Sequence, residues 1–241
     1  MTRRADVLRP AGGLGRAALA LVLALVLAQP VAARAAGDPL EDWNRRVHAA
    51  NARLQAQILA PLARAYVAAT PAWVRQGAGN ILANLGEPLT ALSSLAGGEP
   101  GQAAHAAARV GINSTLGLGG LRDRAAAMGY SRQSFTLADA ACGWGVPAGP
   151  YLVLPLIGPS TLRDAAALLA TSTALSQALG TEPVLAWSGG DLFLGYAAAH
   201  EDLARIEAEA LDAYAVLRSA YLQRRASRCP ADRLPPAAEA D

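Results

Sequence analysis

Charge, aromatic rings and long apolar runs are all scarce in this sequence of 241 residues. It contains no lysine, only 17% of its residues are charged and only 5% are aromatic, although 53% are hydrophobic. Its N-terminal apolar run, Ala17 to Ala28, has 12 residues, against about 20 for a helix that spans a membrane. The run therefore favours a cleaved signal over an uncleaved membrane anchor, and the composition leaves little polar surface for an ordinary water-soluble domain.

Recognisable catalytic motifs are also missing. No serine lies in a GxSxG sequence, which excludes the nucleophile elbow of serine hydrolases. His48, His105 and His200 lie far apart and without HExxH spacing, so nothing indicates a metal site. Residues 143–148, GWGVPA, match the dinucleotide pattern GxGxx(G/A), but helix-like residues precede them and an apolar extended run follows where the phosphate-binding helix should start. We therefore expect that the protein is not an enzyme and that it binds neither a metal nor a cofactor.

The first 35 residues have the pattern of a secretory signal peptide. Four arginines precede the apolar run, and residues 33–35, Ala-Arg-Ala, have the small-x-small spacing of a cleavage site. Without residues 1–35 the chain keeps 16 of its 21 basic and 18 of its 19 acidic residues, a formal net charge of −2. Because no basic excess remains, we expect no nucleic-acid partner. Residues 36–228 form the expected folded domain.

The two cysteines, Cys142 and Cys229, belong to a chain that is expected to leave the cytosol. An oxidising compartment permits a disulfide between them. With no CxxC motif and no neighbouring histidine, the pair suits a covalent staple better than a metal site. The alternative is one buried thiol and one thiol in residues 229–241, which we expect to form a disordered, solvated tail.

Helix signals begin at residue 38. Asp38, Pro39 and Glu41 have the spacing of a capping box with proline in the first turn. Apolar residues then recur at three- and four-residue steps, which predicts a helix from about 39 to 59. Pro61 is expected to restart the chain, and residues 70–71, Thr-Pro, to begin the next helix.

Proline and glycine mark the helices that follow. The third helix is expected to stop at Gly86, because glycine is a common helix terminator. Residues 87–88 and 99–100, both Glu-Pro, are expected to start two more helices, the second of which ends at Gly117. No alternating run of polar and apolar residues is long enough for a sheet, so the predicted fold class is all-α, with short amphipathic helices in a single domain.

Two later segments are also predicted to be helical. Residues 165–181 carry no charge and mix leucines with hydroxyl groups, and at about 25 Å they are shorter than the roughly 30 Å hydrocarbon layer. The segment is either a buried core helix or a helix that faces lipid on one side and a mildly polar cavity on the other. Residues 200–225 have one apolar stripe, acidic residues first and arginines last, which predicts a single final helix.

The most unusual stretch is residues 151–164, YLVLPLIGPSTLRD. Its eight residues from Tyr151 to Gly158 are too apolar for a surface loop, and Pro155 excludes a regular helix interior or a central strand. We interpret it as an extended apolar connector that leads into a helix. Thr161 and Asp164 have the spacing of a capping box at that helix start.

Five motifs in one order resemble the VacJ/MlaA family, the outer-membrane phospholipid-removing component of the Mla lipid-transport pathway. They cover roughly residues 38–225 in one register, and their combination is specific although each alone is not. The motifs are DPLEDWNR (38–45), GNILANLGEP (79–88), GEPGQAAHAAARVGINSTLGLGGLRD (98–123), GPYLVLPLIGPSTLRD (149–164) and DAYAVLRSAYLQRR (212–225).

The resemblance implies a ring-like helical protein in the inner leaflet of the outer membrane, with a central amphipathic channel. Misplaced phospholipid would pass through it from the outer leaflet to a soluble periplasmic carrier, with a trimeric porin as partner. The residues expected to line this lipid path are Tyr151, Leu152, Leu154, Leu156, Ile157, Leu168, Leu169 and Leu175. The residues that match family positions and are expected to be structural are Asp38, Pro39, Glu41, Asn44, Glu87, Pro88, Asn113, Gly149, Pro155, Gly158, Thr161, Arg163 and Asp164.

The chain departs from the family pattern at its expected cleavage region. Family members often carry a lipoprotein cysteine there, whereas this sequence reads AARAAGDPL. Membrane attachment is therefore expected to come from the protein's own apolar surface or from a partner. A periplasmic scaffold or adaptor that binds a membrane protein and no lipid is the alternative hypothesis.

Overall fold

The computed structural model describes residues 38–232, and the expected signal peptide lies outside them. The described chain is mainly helical, which confirms the predicted fold class, with one small antiparallel hairpin. No helix among these residues is long and apolar enough to cross a membrane. In chain order the elements are α1 (Glu41–Leu54), a π-helical turn (Gln55–Leu59), α2 (Ala60–Ala69), α3 (Ala72–Ala96), α4 (Pro100–Thr115), α5 (Arg124–Ala127), α6 (Leu137–Gly143), β1 (Tyr151–Leu154), β2 (Gly158–Thr161), α7 (Leu162–Leu179), α8 (Thr181–Glu209), α9 (Ala213–Arg228) and a 3₁₀ turn (Pro230–Asp232).

The first helical stretch is longer than the sequence predicts. Helix α1 begins at Glu41, so the expected cap at Asp38 is wrong; the Asp38 carboxylate instead accepts from the Leu40 N–H at 3.0 Å. Pro61 does not restart the chain either. It occupies the first turn of α2, directly after the π-helical turn, whose wider hydrogen-bond spacing accommodates the missing N–H of proline without interrupting the helix.

Helix α3 runs through both residues that were expected to divide it. Gly86 does not end the helix, and Pro88 lies inside it, so the predicted helix start at Glu87-Pro88 is wrong. The exposed position of Pro88 keeps its ring away from neighbouring helices, while buried Glu87 is fixed by an ion pair to α4. Tertiary contacts therefore override the local signals. Helix α4, by contrast, starts at Pro100 as predicted.

The apolar connector is a β-hairpin, which corrects the prediction that no sheet would form. Strand β1 pairs antiparallel with β2, with Tyr151 opposite Thr161 and Leu154 opposite Gly158. Pro155 is tolerated because it lies in the three-residue turn and not in a strand. In that turn Leu156 has a positive φ of 68°, an uncommon conformation for a residue with a side chain.

The C-terminal part contains two helices where one was predicted. Helix α8 ends at Glu209 and α9 starts at Ala213, because the Asp212 carboxylate accepts from the Ala215 N–H at 3.0 Å and caps a new helix. Residues 229–232, which were expected to begin the tail, contact the rest of the protein. Cys229 is fully buried, and Asp232 forms an ion pair with Arg163.

A compact aromatic core lies where the hairpin meets the helices at either end of the described chain. Tyr151 and Val153 of β1 pack against Tyr214 and Tyr221 of α9, with Val47 and Leu222 at the edge. The rings of Tyr214 and Tyr221 meet that of Tyr151 edge to face, with centroids about 6 Å apart. We call these four buried residues, Tyr151, Val153, Tyr214 and Tyr221, the hairpin core.

Candidate functional site

Outside the hairpin core, the usual distribution of side chains is reversed. Most other buried apolar residues are alanines, whereas several buried positions hold asparagine, arginine, aspartate or glutamate. Large apolar side chains are exposed over many helices. Water-soluble proteins rarely leave such extensive apolar surface open, and charged side chains are rarely buried without a partner. The candidate functional site is therefore this exterior, together with the polar contacts that support it.

Helix α3 shows the reversal most clearly. Its exposed positions follow steps of four and three residues, whereas Asn84, Glu87 and Ser94 on the opposite side are buried. Leu92 is 65% exposed and Leu95 is 58% exposed. Steps of four and three keep side chains on one helix face. We call this face the outer apolar stripe; its members are Ile81, Leu85, Pro88, Leu92 and Leu95.

The residues expected to line a lipid path divide into three groups. Tyr151 belongs to the hairpin core and is not available to a ligand, so its assignment to the path is wrong. Four others are openly exposed, on the hairpin turn and on α7, and the remaining three are half-buried. The exposed residues are Leu156, Ile157, Leu168 and Leu169, and the half-buried residues are Leu152, Leu154 and Leu175.

Two asparagines of α1 hold the hairpin in place. Asn44, fully buried, accepts from the Val153 N–H at 2.8 Å and donates to the Tyr151 carbonyl at 3.0 Å. Asn51, two turns later, accepts from the Leu156 N–H at 2.9 Å and donates to the Leu154 carbonyl at 3.0 Å. The two side-chain amides thus satisfy backbone groups that β1 and the turn would otherwise leave unpaired. This arrangement is the amide clamp.

Asp38 completes the amide clamp at its outer end. Its carboxylate accepts from Asn44 Nδ2 at 2.9 Å and from the Tyr214 hydroxyl. Burial raises the pKa of Asp38, but the hydrogen bonds from Tyr214, Asn44 and the Leu40 N–H outweigh it, so the pKa lies below its ordinary value. The same contact, added to burial, raises the pKa of Tyr214. Asp38 therefore stays ionised and ties α1 to α9.

A second polar group lies between α3, α4 and α5. Arg109, 2% exposed, donates to Glu87 Oε1 at 2.6 Å, to Asp123 Oδ2 at 3.0 Å and to the Tyr130 carbonyl. Burial lowers the pKa of Arg109, but the hydrogen bonds to Glu87 and Asp123 outweigh it and raise the pKa above its ordinary value. Asn113 donates to Asp123 Oδ1 at 3.1 Å. We call Glu87, Arg109, Asn113 and Asp123 the central ion group.

A third group surrounds the C-terminal end of α9. Arg163 donates to both oxygens of Asp232, at 3.0 and 2.6 Å, and Arg225 donates to Asp139 at 2.5 Å. Arg225 Nε lies 3.0 Å from Asp164 Oδ2, which also accepts from the Tyr221 hydroxyl. Thr161 caps α7 as predicted, by accepting from the Asp164 N–H at 3.3 Å. We call Asp139, Arg163, Asp164, Arg225 and Asp232 the C-terminal ion group.

The sulfurs of Cys142 and Cys229 are joined in a disulfide beside this group, with Cα atoms 6.1 Å apart. This is one of the two arrangements that the sequence left open. The other predicted structural residues have simpler positions. Pro39 lies in the turn before α1, and Glu41 pairs with Arg45 at 2.8 Å. Gly149 and Gly158 have positive φ values of 71° and 91°, which glycine adopts readily.

The three histidines each contact a carboxylate or a backbone carbonyl. His48 pairs with Glu207 at 3.2 Å, while His105 and His200 contact backbone carbonyls at 2.8 and 2.9 Å. Within residues 38–232 no group of three or more His, Cys, Asp or Glu side chains is placed to hold a metal ion. The GWGVPA segment begins at the last residue of α6, and its Trp144 donates to the Ala96 carbonyl at 3.0 Å.

Sequence reasoning missed most of the partners in these polar groups. Each missed residue has a partner at least 14 positions away along the chain; the missed residues are Asn51, Arg109, Asp123, Asp139, Tyr214, Tyr221, Arg225 and Asp232. Two signals were present. Asn51 follows Asn44 by seven residues on the same helix face, and Thr136 with Asp139 has capping-box spacing, which the structure shows as a formed capping box.

Comparisons with known proteins agree with the resemblance in the sequence. A protein-family profile described as "MlaA lipoprotein" matches residues 36–228. The chain is 30% identical over 199 residues to the intermembrane phospholipid transport system lipoprotein MlaA of Escherichia coli, which covers 78% of this chain and 76% of that protein. It is 30% identical over 197 residues to the protein of the same name from Haemophilus influenzae, covering 77% and 76%.

A relative of uncharacterised function and a solved structure extend the comparison. An uncharacterised protein of Rickettsia felis is 35% identical over 158 residues, or 66% of this chain, and the chain spans 61% of the length of that relative. A solved structure from work on the structural basis for maintenance of bacterial outer membrane lipid asymmetry superposes with a TM-score of 0.70 at 27% identity. It covers 82% of this chain and 100% of the solved chain.

Proposed function

This chain belongs to the MlaA lipoprotein family, and from that premise we propose that it takes part in phospholipid transport at the Gram-negative outer membrane. In this proposal it removes mislocalised phospholipid from the outer leaflet and passes the intact lipid to a soluble periplasmic carrier, which maintains lipid asymmetry. The activity is transport and not catalysis. The single observation that carries the proposal is the reversal on α3, where leucines face outward and Glu87 faces inward.

The exposed leucines support a position within one leaflet. The outer apolar stripe, from Ile81 to Leu95, extends about 21 Å along α3 at 1.5 Å per residue and carries no charged residue. A hydrocarbon environment would cover this stripe, whereas water would not. The proposed location is the periplasmic face of the outer membrane, with the inner leaflet as the surrounding solvent and a trimeric porin as a partner.

The lipid path that we infer follows the hairpin turn and α7. Leu156 and Ile157 offer apolar contacts at the turn, and Leu168 and Leu169 continue them on the first half of α7. Hydroxyl groups on the second half of α7, such as those of Thr171 and Ser172, would suit lipid head groups. In this proposal short helices enclose the path as a ring-like channel, and Leu152, Leu154 and Leu175 line it more deeply.

One pair of variants tests the path. Leu169→Asp places a charge on an exposed leucine, whereas Gln177→Asp places the same charge on an exposed polar position of the same helix. We expect Leu169→Asp to fold normally but to carry less co-purified phospholipid and to leave phospholipid on the cell surface. Gln177→Asp should behave as the wild type. Wholesale loss of folded Leu169→Asp protein would indicate a core helix instead.

Lipid extraction separates transport from the alternative, a scaffold or adaptor that binds a membrane protein through the outer apolar stripe. Protein from detergent-free membrane preparations should carry phospholipid above background by mass spectrometry. A chain without bound lipid, together with normal surface lipid in a deletion strain, would contradict transport and leave the scaffold.

A further inference from the structure

The disulfide is one of two cross-links between the same pair of helices. Cys142 near the end of α6 is joined to Cys229, directly after α9. Three residues before Cys142, Asp139 pairs with Arg225, which lies four residues before Cys229. Residues three or four apart lie on one helix face. The ion pair and the disulfide are therefore consecutive rungs, one helical turn apart, and the disulfide is the rung nearer the end of the described chain.

The disulfide also fixes the start of the segment that carries Asp232. After Cys229 the chain makes the 3₁₀ turn Pro230–Asp232, and the Asp232 N–H donates to the Cys229 carbonyl at 2.9 Å. This turn places Asp232 on Arg163, whose side chain is 2% exposed. The folded protein is destabilised when a buried arginine loses a carboxylate that pairs with it. The position of Cys229 consequently decides whether Arg163 keeps the closer of its two carboxylates, because Asp232 lies at 2.6 Å and Asp164 at 3.3 Å.

The two sulfurs differ in access and in surroundings. Cys229 is completely buried, whereas Cys142 is partly exposed. Thiol–disulfide exchange begins with attack of an external thiolate on an accessible sulfur, and the other sulfur leaves as a thiolate. The Arg163 guanidinium lies 3.8 Å from Cys229 Sγ and would stabilise negative charge there.

From this geometry we propose that Cys142 and Cys229 form a thiol-oxidation site that latches the C-terminal turn, with Cys142 as the sulfur that exchanges with the oxidant. The oxidant is a protein or small-molecule disulfide. The Cys142 thiolate attacks it, forming a mixed disulfide and releasing one oxidant thiolate. The Cys229 thiolate then attacks the Cys142 sulfur, forming the internal disulfide and releasing the second. Two protein thiols lose two protons and two electrons, and the oxidant disulfide is reduced to two thiols.

The order of attack is testable in the unmodified, folded protein. Oxidised protein is mixed briefly with limiting reduced glutathione, quenched with N-ethylmaleimide and digested for mass spectrometry. We expect glutathione on Cys142 and maleimide on Cys229, in at least about tenfold excess over the opposite pattern. Equal amounts of the two patterns, an excess of glutathione on Cys229, or a disulfide that dithiothreitol does not open in the folded protein would overturn the assignment of Cys142.

The latch is tested separately by hydrogen exchange. Reduction should speed amide exchange in residues 226–232 by at least about tenfold and leave α3 unchanged, because the turn loses its covalent attachment. The Cys142→Ser/Cys229→Ser double variant should show the same pattern without reductant. Asp232→Asn, which keeps the disulfide but removes a carboxylate from Arg163, should speed exchange in residues 230–232 and around Arg163 and leave residues 226–228 as in the oxidised wild type. Unchanged exchange in both the reduced protein and the double variant would show that the ion pairs alone hold the turn.

Discussion

The hairpin core and the outer apolar stripe have opposite distributions of buried and exposed side chains. Around the hairpin, tyrosines and a valine are buried and arginines such as Arg45 lie outside, as in a water-soluble protein. On α3 the leucines lie outside and Glu87 lies inside. The difference teaches that the two regions distribute apolar side chains in opposite ways, which the proposed membrane position of the stripe would explain. Buried polar groups and small residues stabilise the protein behind the outer apolar stripe, whereas aromatic packing together with the amide clamp stabilises the hairpin region.

Breaking the central ion group should have the largest effect on stability. Arg109→Met leaves Glu87 buried without its partner, and we expect the free energy of unfolding to fall by about 3–5 kcal/mol. Denaturant unfolding in mild detergent, followed by circular dichroism, measures it. Arg122→Met removes an exposed arginine from the same region and is the control, with an expected change within about 0.5 kcal/mol. Similar values for the two variants would contradict a supporting role for the buried ions.

Opening the amide clamp should have the next largest effect. Asn44→Ala leaves the Val153 N–H and the Tyr151 carbonyl unpaired in a buried place, with an expected loss of about 2–3 kcal/mol. Amide exchange at Val153 should also become faster. Asp42→Ala, at an exposed position of the same helix, is the control. If Val153 stays as protected in Asn44→Ala as in the wild type, the hairpin does not depend on the clamp.

Acid should lower the free energy of unfolding through the paired carboxylates. Burial raises the pKa of Asp139, but hydrogen bonds from Thr136 and Arg225 outweigh it and hold the pKa below its ordinary value of 3.8. A carboxylate with a lowered pKa contributes stability that is complete above the ordinary value and is lost as the pH falls through the folded value.

Asp212 behaves in the same way, since hydrogen bonds from Arg45 and from the Ala215 N–H lower its pKa to about 2. We therefore expect the free energy of unfolding to decline as the pH falls from about 4 toward 2. Unfolding curves across this range test the decline, and Asp139→Asn should flatten it. An equally steep decline in that variant would assign the acid sensitivity to other carboxylates.

The smallest change in stability is expected on the outer apolar stripe. Leu92→Ala should alter the free energy of unfolding by no more than about 0.5 kcal/mol, because the side chain makes few contacts within the protein. Leu222→Ala, at the edge of the hairpin core, should cost about 2 kcal/mol. Flotation with phospholipid vesicles should show the reverse order, with Leu92→Ala binding more weakly than Leu222→Ala. Equal vesicle binding by the two variants would contradict a role of the outer apolar stripe in membrane binding.

Local signals in the sequence predicted the elements that are locally determined. The helix start at Pro100 and the Thr161 cap depend on neighbouring residues, and both are present. Gly86 and Pro88 failed as helix boundaries because the contact between Glu87 and Arg109 outweighs the local cost of continuing the helix. The hairpin was not predicted for a related reason, since part of its stability comes from asparagines more than 100 residues earlier in the chain.

The candidate site was only partly predictable for the same reason. Leu156 and Leu169 are apolar in any interpretation of the sequence, and their exposure confirms only that they are available. Tyr151 looked equivalent to them because alternation within four residues does not show which strand face meets α9. The two ion groups pair residues as far as 86 positions apart, such as Asp139 with Arg225, and no spacing rule connects such pairs.

The amide clamp has a consequence for aggregation. A two-stranded ribbon ordinarily has free backbone groups along its outer edges, and another chain can add a strand there. In this protein the edge of β1 is already occupied by side chains of α1, at Tyr151, Val153 and Leu154. Side chains of α1 thus satisfy the backbone groups of β1 that a third strand would otherwise pair with. A newly made chain in which α1 has not yet docked would expose this edge beside the apolar turn, so early docking of α1 would protect the hairpin from self-association.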